Sequence, residues 1–116
     1  MRSKQALTME DVKKIAAAGG HLLWLQRLDG AAPVSASIAP SKARTAALGV
    51  RETKIYEDVI NNGRYSFLSA PNIDGLLEGG VPILVAGDCV GAVGVSGVKS
   101  NEDAQIAKAG ISALGL

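Results

Sequence analysis

The chain has 116 residues, 47% of them hydrophobic, and its twelve basic and eleven acidic side chains leave a formal charge of +1. This length and hydrophobicity fit a single domain over residues 1–116 with a buried core, and they exclude a disordered chain. The balanced charge and an aromatic content of 3% argue against a nucleic-acid binder, while one cysteine and one histidine exclude a disulfide framework and an ordinary zinc site.

No apolar stretch of the sequence has the length and continuity of a membrane span. The longest one, around residues 81–98, is interrupted by Gly87 and Asp88. Charged residues between Glu10 and Lys14 interrupt the region where a signal peptide would need its apolar run. We therefore expect a cytoplasmic protein that binds neither a membrane nor nucleic acid.

The first predicted elements are a helix and a strand. The helix covers Thr8–Ala18, with the threonine at the N-cap and the glycine pair at 19–20 as its stop. The strand covers His21–Arg27, and because it is largely apolar we expect both of its faces to be covered. The following Asp29-Gly30 pair predicts a turn.

Two more helices are predicted in the middle of the chain. Val34–Leu48 is rich in alanine and serine and is followed by Gly49, a typical helix stop. Pro40 has no backbone N–H, so this helix is predicted to start near it or to be kinked by it. Thr53 suits the N-cap of a shorter helix over Lys54–Ile60.

The last part of the chain predicts a hairpin between a long loop and a helix. Arg64–Gly80 is rich in glycine and is long enough to be typical of a functional loop. Val81–Val85 and Cys89–Ser96 are predicted to pair as antiparallel strands, and the glycines of the second strand allow a helix, another backbone or a flat ligand to approach closely. With a final helix over Glu102–Leu114, the element order indicates an α+β fold.

The sequence contains no catalytic constellation, and we assign no catalytic residue. A Ser-His-Asp triad would need His21, the single histidine, which stands at the start of an apolar predicted strand. There the imidazole is either a packed or rim group, a ligand for iron, or a base. Gly91, Gly94 and Gly97 have a spacing that resembles a dinucleotide fingerprint, but they lie in and just beyond a strand, which favours close packing.

Four other side chains are candidates for ligand binding: Arg27, Lys42, Thr45 and Glu78. Lys42 and Thr45 lie three residues apart, so both side chains would face one pocket from the same side of a helix. Arg27 either supports the turn at Asp29 or binds a carboxylate, since a guanidinium forms bidentate pairs with that group. Glu78 is a candidate for the rim of the pocket.

Several segments, taken together and in order, resemble the GlcG/HbpS-like family, also called the haem-degrading or DUF336 domain, which includes the C-terminal domain of PduO-type proteins. The resemblance covers nearly the whole chain and is carried by these motifs: Leu7–Val12, Gly19–Leu22, Arg27–Gly30, Lys42–Ala47, Gly79–Ile83 and Val90–Gly97. It implies a profilin-like fold with α/β/α layers and an antiparallel sheet. It also implies assembly into homo-oligomers and, in some members, haem binding.

The chain departs from this family in one respect. Members usually have a longer first helix and a further strand before the Gly-Gly-His segment, whereas here Ala16-Ala17-Ala18 runs directly into Gly19. The resemblance therefore predicts that the sheet lacks an internal strand, so that the neighbouring strands re-pair or a second subunit supplies the missing edge. His21 is the sole ordinary nitrogen ligand that the sequence offers to a haem iron.

These observations lead to three functional hypotheses. The first is a non-enzymatic binding protein for haem or a small anionic metabolite, with a pocket near Lys42, Thr45 and the Arg64–Gly80 loop and with Arg27 at its edge. Cations for haem propionates would come from Lys42, Arg44 or Arg51. The second is an enzyme for a small hydroxy- or oxo-acid, in which Arg27 anchors the carboxylate and Lys42 or His21 moves protons. The third is an oligomeric structural subunit without a ligand.

Overall fold

The computed structural model describes residues 20–115. Its elements are helix α1 (Ser35–Gly49), helix α2 (Thr53–Asn61), a 3-10 helix (Tyr65–Ser69), strands β1 (Gly80–Val85) and β2 (Asp88–Gly94), and helix α3 (Ser100–Ser112). The helix predicted over Thr8–Ala18 lies outside the described residues. Among the described residues, no helix has the length and apolarity that a membrane crossing requires.

The predicted hairpin is confirmed. Strands β1 and β2 pair antiparallel, with Val81 opposite Val93, and the register shifts at a bulge next to Ile83. The two residues of the connecting turn, Ala86 and Gly87, have φ values of 53° and 85°. Positive φ at both central positions is typical of the tight turns whose twist matches that of a hairpin. The second strand ends at Gly94 rather than at the predicted Ser96.

Helix α1 lies against the hairpin at the positions where the strands carry glycine. A Cβ atom at Gly94 would lie 2.1 Å from the carbonyl oxygen of Ala39, and one at Gly80 would lie 2.3 Å from that of Lys42. Only glycine permits this approach, so the predicted close packing of a helix on the second strand is confirmed. The core lies between the hairpin and helices α1 and α3, and its buried members are Ala46, Ala47, Val81, Ile83, Ala92, Val93 and Ala107.

Residues on both faces of the hairpin are buried. Gly80 and Gly94 face α1, whereas their neighbours Val81 and Val93 point to the opposite face, because side chains alternate along a strand. This arrangement of helices around an antiparallel hairpin confirms the α+β class and is consistent with the layered profilin-like fold that the resemblance implied. Within residues 20–115 the sheet has two strands.

The strand predicted over His21–Arg27 is wrong. Only Leu22 forms an isolated bridge, and the leucines at 22, 23 and 25 are 53%, 49% and 44% exposed. Of the residues in this segment, only Trp24 packs against the core. An apolar segment forms a strand only where a neighbouring strand supplies hydrogen-bond partners for its backbone. Among the described residues, no strand pairs along this segment.

The starts of the two middle helices clarify the roles of Pro40 and Thr53. Helix α1 begins at Ser35, one residue after the predicted start, and Pro40 lies inside it, so the alternative of a start near Pro40 is excluded. Thr53 is the first residue of α2 and not its N-cap, which is Glu52. The threonine hydroxyl instead donates to the carbonyl oxygen of Leu77 at 2.6 Å and accepts the N–H of Gly80 at 2.9 Å. It therefore joins the long loop to the helix.

Candidate functional site

A cleft with a volume of about 380 Å³ lies beside helix α1. Three parts of the chain line it: the segment before α1, the middle of α1, and the long loop. The lining residues are Gly20, His21, Leu22, Pro40, Ser41, Ala43, Arg44, Asn72 and Asp74. A concave space of this size with convergent polar groups is what a small-molecule site requires.

Gly20 brings the first segment onto α1. Its φ of +80° lies in the left-handed region, and a Cβ atom there would lie 3.0 Å from Cγ of Arg44. The Arg44 guanidinium donates through Nη1 to the carbonyl oxygen of Gly20 at 3.2 Å. The glycine thus allows the close approach that places His21 and Arg44 in one cleft.

The loop side of the cleft is held by a buried hydrogen bond. The Gly75 N–H donates to Oγ1 of Thr45 at 2.9 Å, and both residues are buried. A Cβ atom at Gly75 would lie 2.2 Å from the carbonyl carbon of Ser41, so the loop touches the α1 backbone here. Asp74 is adjacent to Gly75, and Asn72 is three residues before it. Thr45 therefore positions the loop side of the cleft.

The charged groups of the cleft retain capacity for a ligand. Within residues 20–115, the single hydrogen bond of the half-buried Arg44 side chain is the one to Gly20. Neither Arg44 nor Asp74 takes part in an ion pair among these residues, where the paired acids are Glu52, Asp58 and Asp103. A guanidinium has five N–H donors, so Arg44 has donors to spare for a carboxylate.

Lys42 lies on the adjoining side of α1 in a buried network. Its Nζ donates to Oδ2 of Asp103 at 3.1 Å and to the carbonyl oxygen of Val95 at 2.9 Å. The other carboxylate oxygen of Asp103 accepts the N–H of Val98 at 3.1 Å. Lys42 and Asp103 are each 2% exposed. A buried charge needs such partners, so the network connects α1, the end of the hairpin and α3.

The structure separates the five residues that the sequence singled out. His21 lines the cleft, whereas Lys42 and Thr45 are buried beside it in internal hydrogen bonds. Arg27 is exposed and donates to the carbonyl oxygen of Ala31 at 2.9 Å. Glu78 is half-buried, and its backbone N–H donates to a carboxylate oxygen of Glu57 at 2.6 Å. Ligand contacts of these side chains remain predictions, and of the five only His21 lines this cleft within residues 20–115.

Sequence reasoning missed Ser41, Asn72 and Asp74, and it considered Arg44 only as a cation for haem propionates. One signal was available. Ser41 and Arg44 have the same spacing as Lys42 and Thr45, one position earlier in the helix. Choosing between the two pairs requires knowing which side of α1 faces the hairpin, and the sequence did not resolve this.

The residues of the cleft meet part of what a haem requires. His21 offers an imidazole for the iron, and Arg44 offers a cation for a propionate. The apolar lining consists of Leu22, Pro40 and Ala43, a small surface for a macrocycle. Within residues 20–115, no group of three or more histidine, cysteine or acidic side chains is placed to hold a metal ion. Were a haem bound in this cleft, His21 would be the residue to hold its iron and Arg44 the one to pair with a propionate, and the haem would supply the redox chemistry.

These features define a small α+β domain with a cleft that offers cationic and polar groups to a ligand. The chain belongs to the HbpS-like family, because residues 5–112 match the family model described as haem degrading protein HbpS-like. The resemblance predicted from the sequence is confirmed.

Individual relatives agree with this assignment. The chain is 60% identical to Protein GlcG of Escherichia coli K12 over 78 residues, a match that covers 67% of this chain and 58% of GlcG. The match thus spans less than two thirds of that relative. A 15.0 kDa protein from the dhaT-dhaS intergenic region of Citrobacter freundii is 33% identical over 93 residues, covering 78% of this chain and 66% of the relative.

Solved structures of the family share the fold. A double mutant of Streptomyces reticuli HbpS has a TM-score of 0.81 and 26% identity, with coverage of 100% of this chain and 92% of HbpS. A structure described as a PduOC:heme complex has a TM-score of 0.79 and 25% identity, with coverage of 95% and 96%.

Proposed function

We propose that this protein is a non-enzymatic binding protein that holds a carboxylate-bearing ligand, either haem or a small anionic metabolite, in the cleft beside α1. The observation that carries the proposal is the placement of Arg44. Arg44 is a half-buried residue of the cleft wall, and its guanidinium makes one part-buried hydrogen bond within residues 20–115. A partly desolvated guanidinium binds a carboxylate more strongly than an exposed one.

Haem is the ligand that the relatives favour. The PduOC structure is described as a heme complex, and the matched family model names haem degradation. In this chain a haem propionate would pair with Arg44, and the imidazole of His21 is the nitrogen ligand at the same cleft. Because three apolar residues line the cleft, the rest of the macrocycle would need cover from outside it.

A small carboxylic acid is the ligand that the volume of the cleft favours. About 380 Å³ lies near the lower end of the range for small-molecule sites, which is roughly 300–1,000 Å³. Such a ligand would place its carboxylate on Arg44 and its remaining polar groups on the side chains of Ser41, Asn72 and Asp74. It needs no iron ligand, so His21 would act as a hydrogen-bonding group.

Haemin titration followed by the Soret band tests the first candidate. We expect a saturable shift at one haem per chain or per pair of chains, weakened at least tenfold by Arg44→Gln and altered in wavelength by His21→Ala. Arg64→Gln is the matched control, because Arg64 is exposed and lies over the ring of Phe67, away from the cleft. Absorbance that rises without saturation in the unmodified protein would reject haem.

Calorimetric titration with small carboxylates tests the second candidate with the same variants. Saturable binding of at least one acid that Arg44→Gln removes and Arg64→Gln retains would support the proposal. If neither haemin nor any small acid binds saturably, the proposed function is wrong.

We also propose that the protein forms a homo-oligomer. The exposed leucines at 22, 23 and 25 support this, because contiguous exposed apolar side chains commonly cover a subunit interface. Light scattering after size exclusion would measure a mass at a multiple of 11.8 kDa. Leu23→Glu would shift it towards a single chain. The single-domain organisation and the cytoplasmic location remain predictions.

A further inference from the structure

We infer that the cleft selects an acid that also carries a hydrogen-bond donor next to its carboxylate, as a hydroxy acid or an amino acid does. The inference rests on the proposed function, in which Arg44 binds the carboxylate. It gives Asp74, an acidic side chain that lines the same cleft as Arg44, the role of selecting the ligand. It also separates the two ligand candidates, because a haem propionate has no such donor.

The first step is that Asp74 is available. Its side chain is exposed to the cleft and takes part in no ion pair or hydrogen bond among the described residues, although Arg44 lines the same cleft. An ionised carboxylate only accepts hydrogen bonds, so Asp74 requires a donor from whatever occupies the space beside it.

The second step is electrostatic. A plain carboxylate that binds Arg44 brings a negative charge towards Asp74, and like charges at close range repel. A hydroxyl or ammonium group on the ligand, placed between the two acidic groups, converts this repulsion into a hydrogen bond. The aspartate therefore disfavours the plain acid as well as favouring the substituted one, which is how specificity commonly arises.

The third step is that the wall carrying Asp74 is fixed before a ligand arrives. The next residue, Gly75, donates its N–H to the buried hydroxyl of Thr45 and has no room for a side chain. Asn72 has a φ of 66°, a left-handed conformation that asparagine adopts more readily than most residues. A pre-formed wall discriminates between ligands, because it cannot move away from an unfavourable charge.

The experiment compares acids that differ by one group. Lactate and propionate differ only in a hydroxyl, and alanine carries an ammonium group at that position. Calorimetric titration of the unmodified protein is expected to show lactate or alanine binding at least about tenfold more tightly than propionate, the effect of one hydrogen bond to a charged group. Asp74→Ala is expected to remove this difference, by weakening the substituted acid and leaving propionate unchanged or tighter.

Three further variants make the result specific. Asp74→Asn keeps an acceptor without the charge, so it would preserve a preference for lactate and remove one for alanine. Asp88→Asn is the matched control, because Asp88 is exposed at the start of β2 and outside the cleft. Arg44→Gln is expected to weaken all three acids.

The outcomes separate this inference from the proposed function. If the three acids bind equally and Asp74→Ala changes nothing, the role of Asp74 is wrong while carboxylate binding at Arg44 stands. If haemin binds through Arg44 and none of the acids binds, the inference is overturned and the haem candidate is retained. If Arg44→Gln leaves every titration unchanged, the cleft is not the site and both are wrong.

Discussion

Two adjoining sides of helix α1 carry similar residues in very different surroundings. Lys42 and Thr45 face the interior, where each has its hydrogen bonds supplied by the protein itself. Ser41 and Arg44 are each one position earlier and line the open cleft. One residue along a helix is a rotation of about 100°, and this rotation separates a structural network from a candidate binding site.

The comparison shows why a buried, already paired cation is poorly suited to bind a ligand. For Lys42 to bind a ligand it would have to leave Asp103, and an uncompensated buried carboxylate costs about 3–5 kcal/mol. Arg44 has no such partner among residues 20–115, so a ligand binds it without breaking an ion pair. The chemical type of a side chain therefore predicts function less well than the number of partners it already has.

The largest expected effect is on the buried network. Lys42→Met leaves Asp103 buried without its cation, and we expect the free energy of unfolding to fall by about 3–5 kcal/mol. Urea unfolding followed by circular dichroism measures it. The double variant Lys42→Met/Asp103→Asn should recover part of the loss, because no unpaired charge remains and the amide oxygen still accepts the N–H of Val98. Lys108→Met removes an exposed pair with Glu52 and should change stability by about 1 kcal/mol or less.

A smaller loss is expected from Thr45. Thr45→Val keeps the shape but leaves the buried N–H of Gly75 without its acceptor, which costs about 1–3 kcal/mol. Thr45→Ser restores the hydroxyl and should restore most of the stability. If Asp74 is positioned through this contact, Thr45→Val also weakens ligand binding and Thr45→Ser rescues it. Unchanged stability in Thr45→Val would contradict the assignment of this hydroxyl to the network.

The variant Arg44→Gln tests whether the cleft side of helix α1 contributes to ligand binding rather than to stability. Arg44→Gln removes one partly buried hydrogen bond, so we expect the free energy of unfolding to change by about 1 kcal/mol or less. Ligand binding should fall at least tenfold in the same variant. A stability loss as large as that of Lys42→Met would mean that Arg44 is part of the structural network. The proposed contrast between the buried side of α1 and its cleft side would then be wrong.

The elements that were predicted correctly are those with local signals. The turn at Ala86-Gly87 and the apolar strand before it are marked directly in the sequence. Helix α1 also ends at the glycine after Leu48, although it includes that glycine and the left-handed residue at its end is Val50. The strand predicted over His21–Arg27 is wrong because an apolar composition is compatible with burial or with strand pairing and does not specify which segment would pair with it. The hydroxyl of Thr53 was mistaken for a cap because its true partners, Leu77 and Gly80, are distant in sequence.

The candidate site was predictable only in part for the same reason. Gly20 and His21 stood out as a motif, and His21 does line the cleft. Asp74 carried no signal of its own, since an aspartate before glycine in a loop is typical of a turn. Its place in the same cleft as Arg44 depends on the contact between Gly75 and Thr45, thirty residues apart. Long-range contacts of this kind decide which polar residues meet, and single-sequence patterns do not contain them.

The smallest expected effect belongs to an exposed ion pair on α2. A hydrogen bond from Lys54 to Asp58, together with the charge of that carboxylate, raises the pKa of Lys54 above its ordinary value of 10.5. A raised lysine pKa means that the folded state holds the proton more tightly. Its contribution to stability is therefore fully present below pH 10.5 and is lost as pH rises through the folded-state pKa. We expect Lys54→Gln to lower the urea midpoint slightly at neutral pH, with the difference shrinking above pH 10.5 and in about 1 M salt, where exposed charges are screened. A loss approaching that of Lys42→Met would mean that burial does not decide the strength of the two pairs.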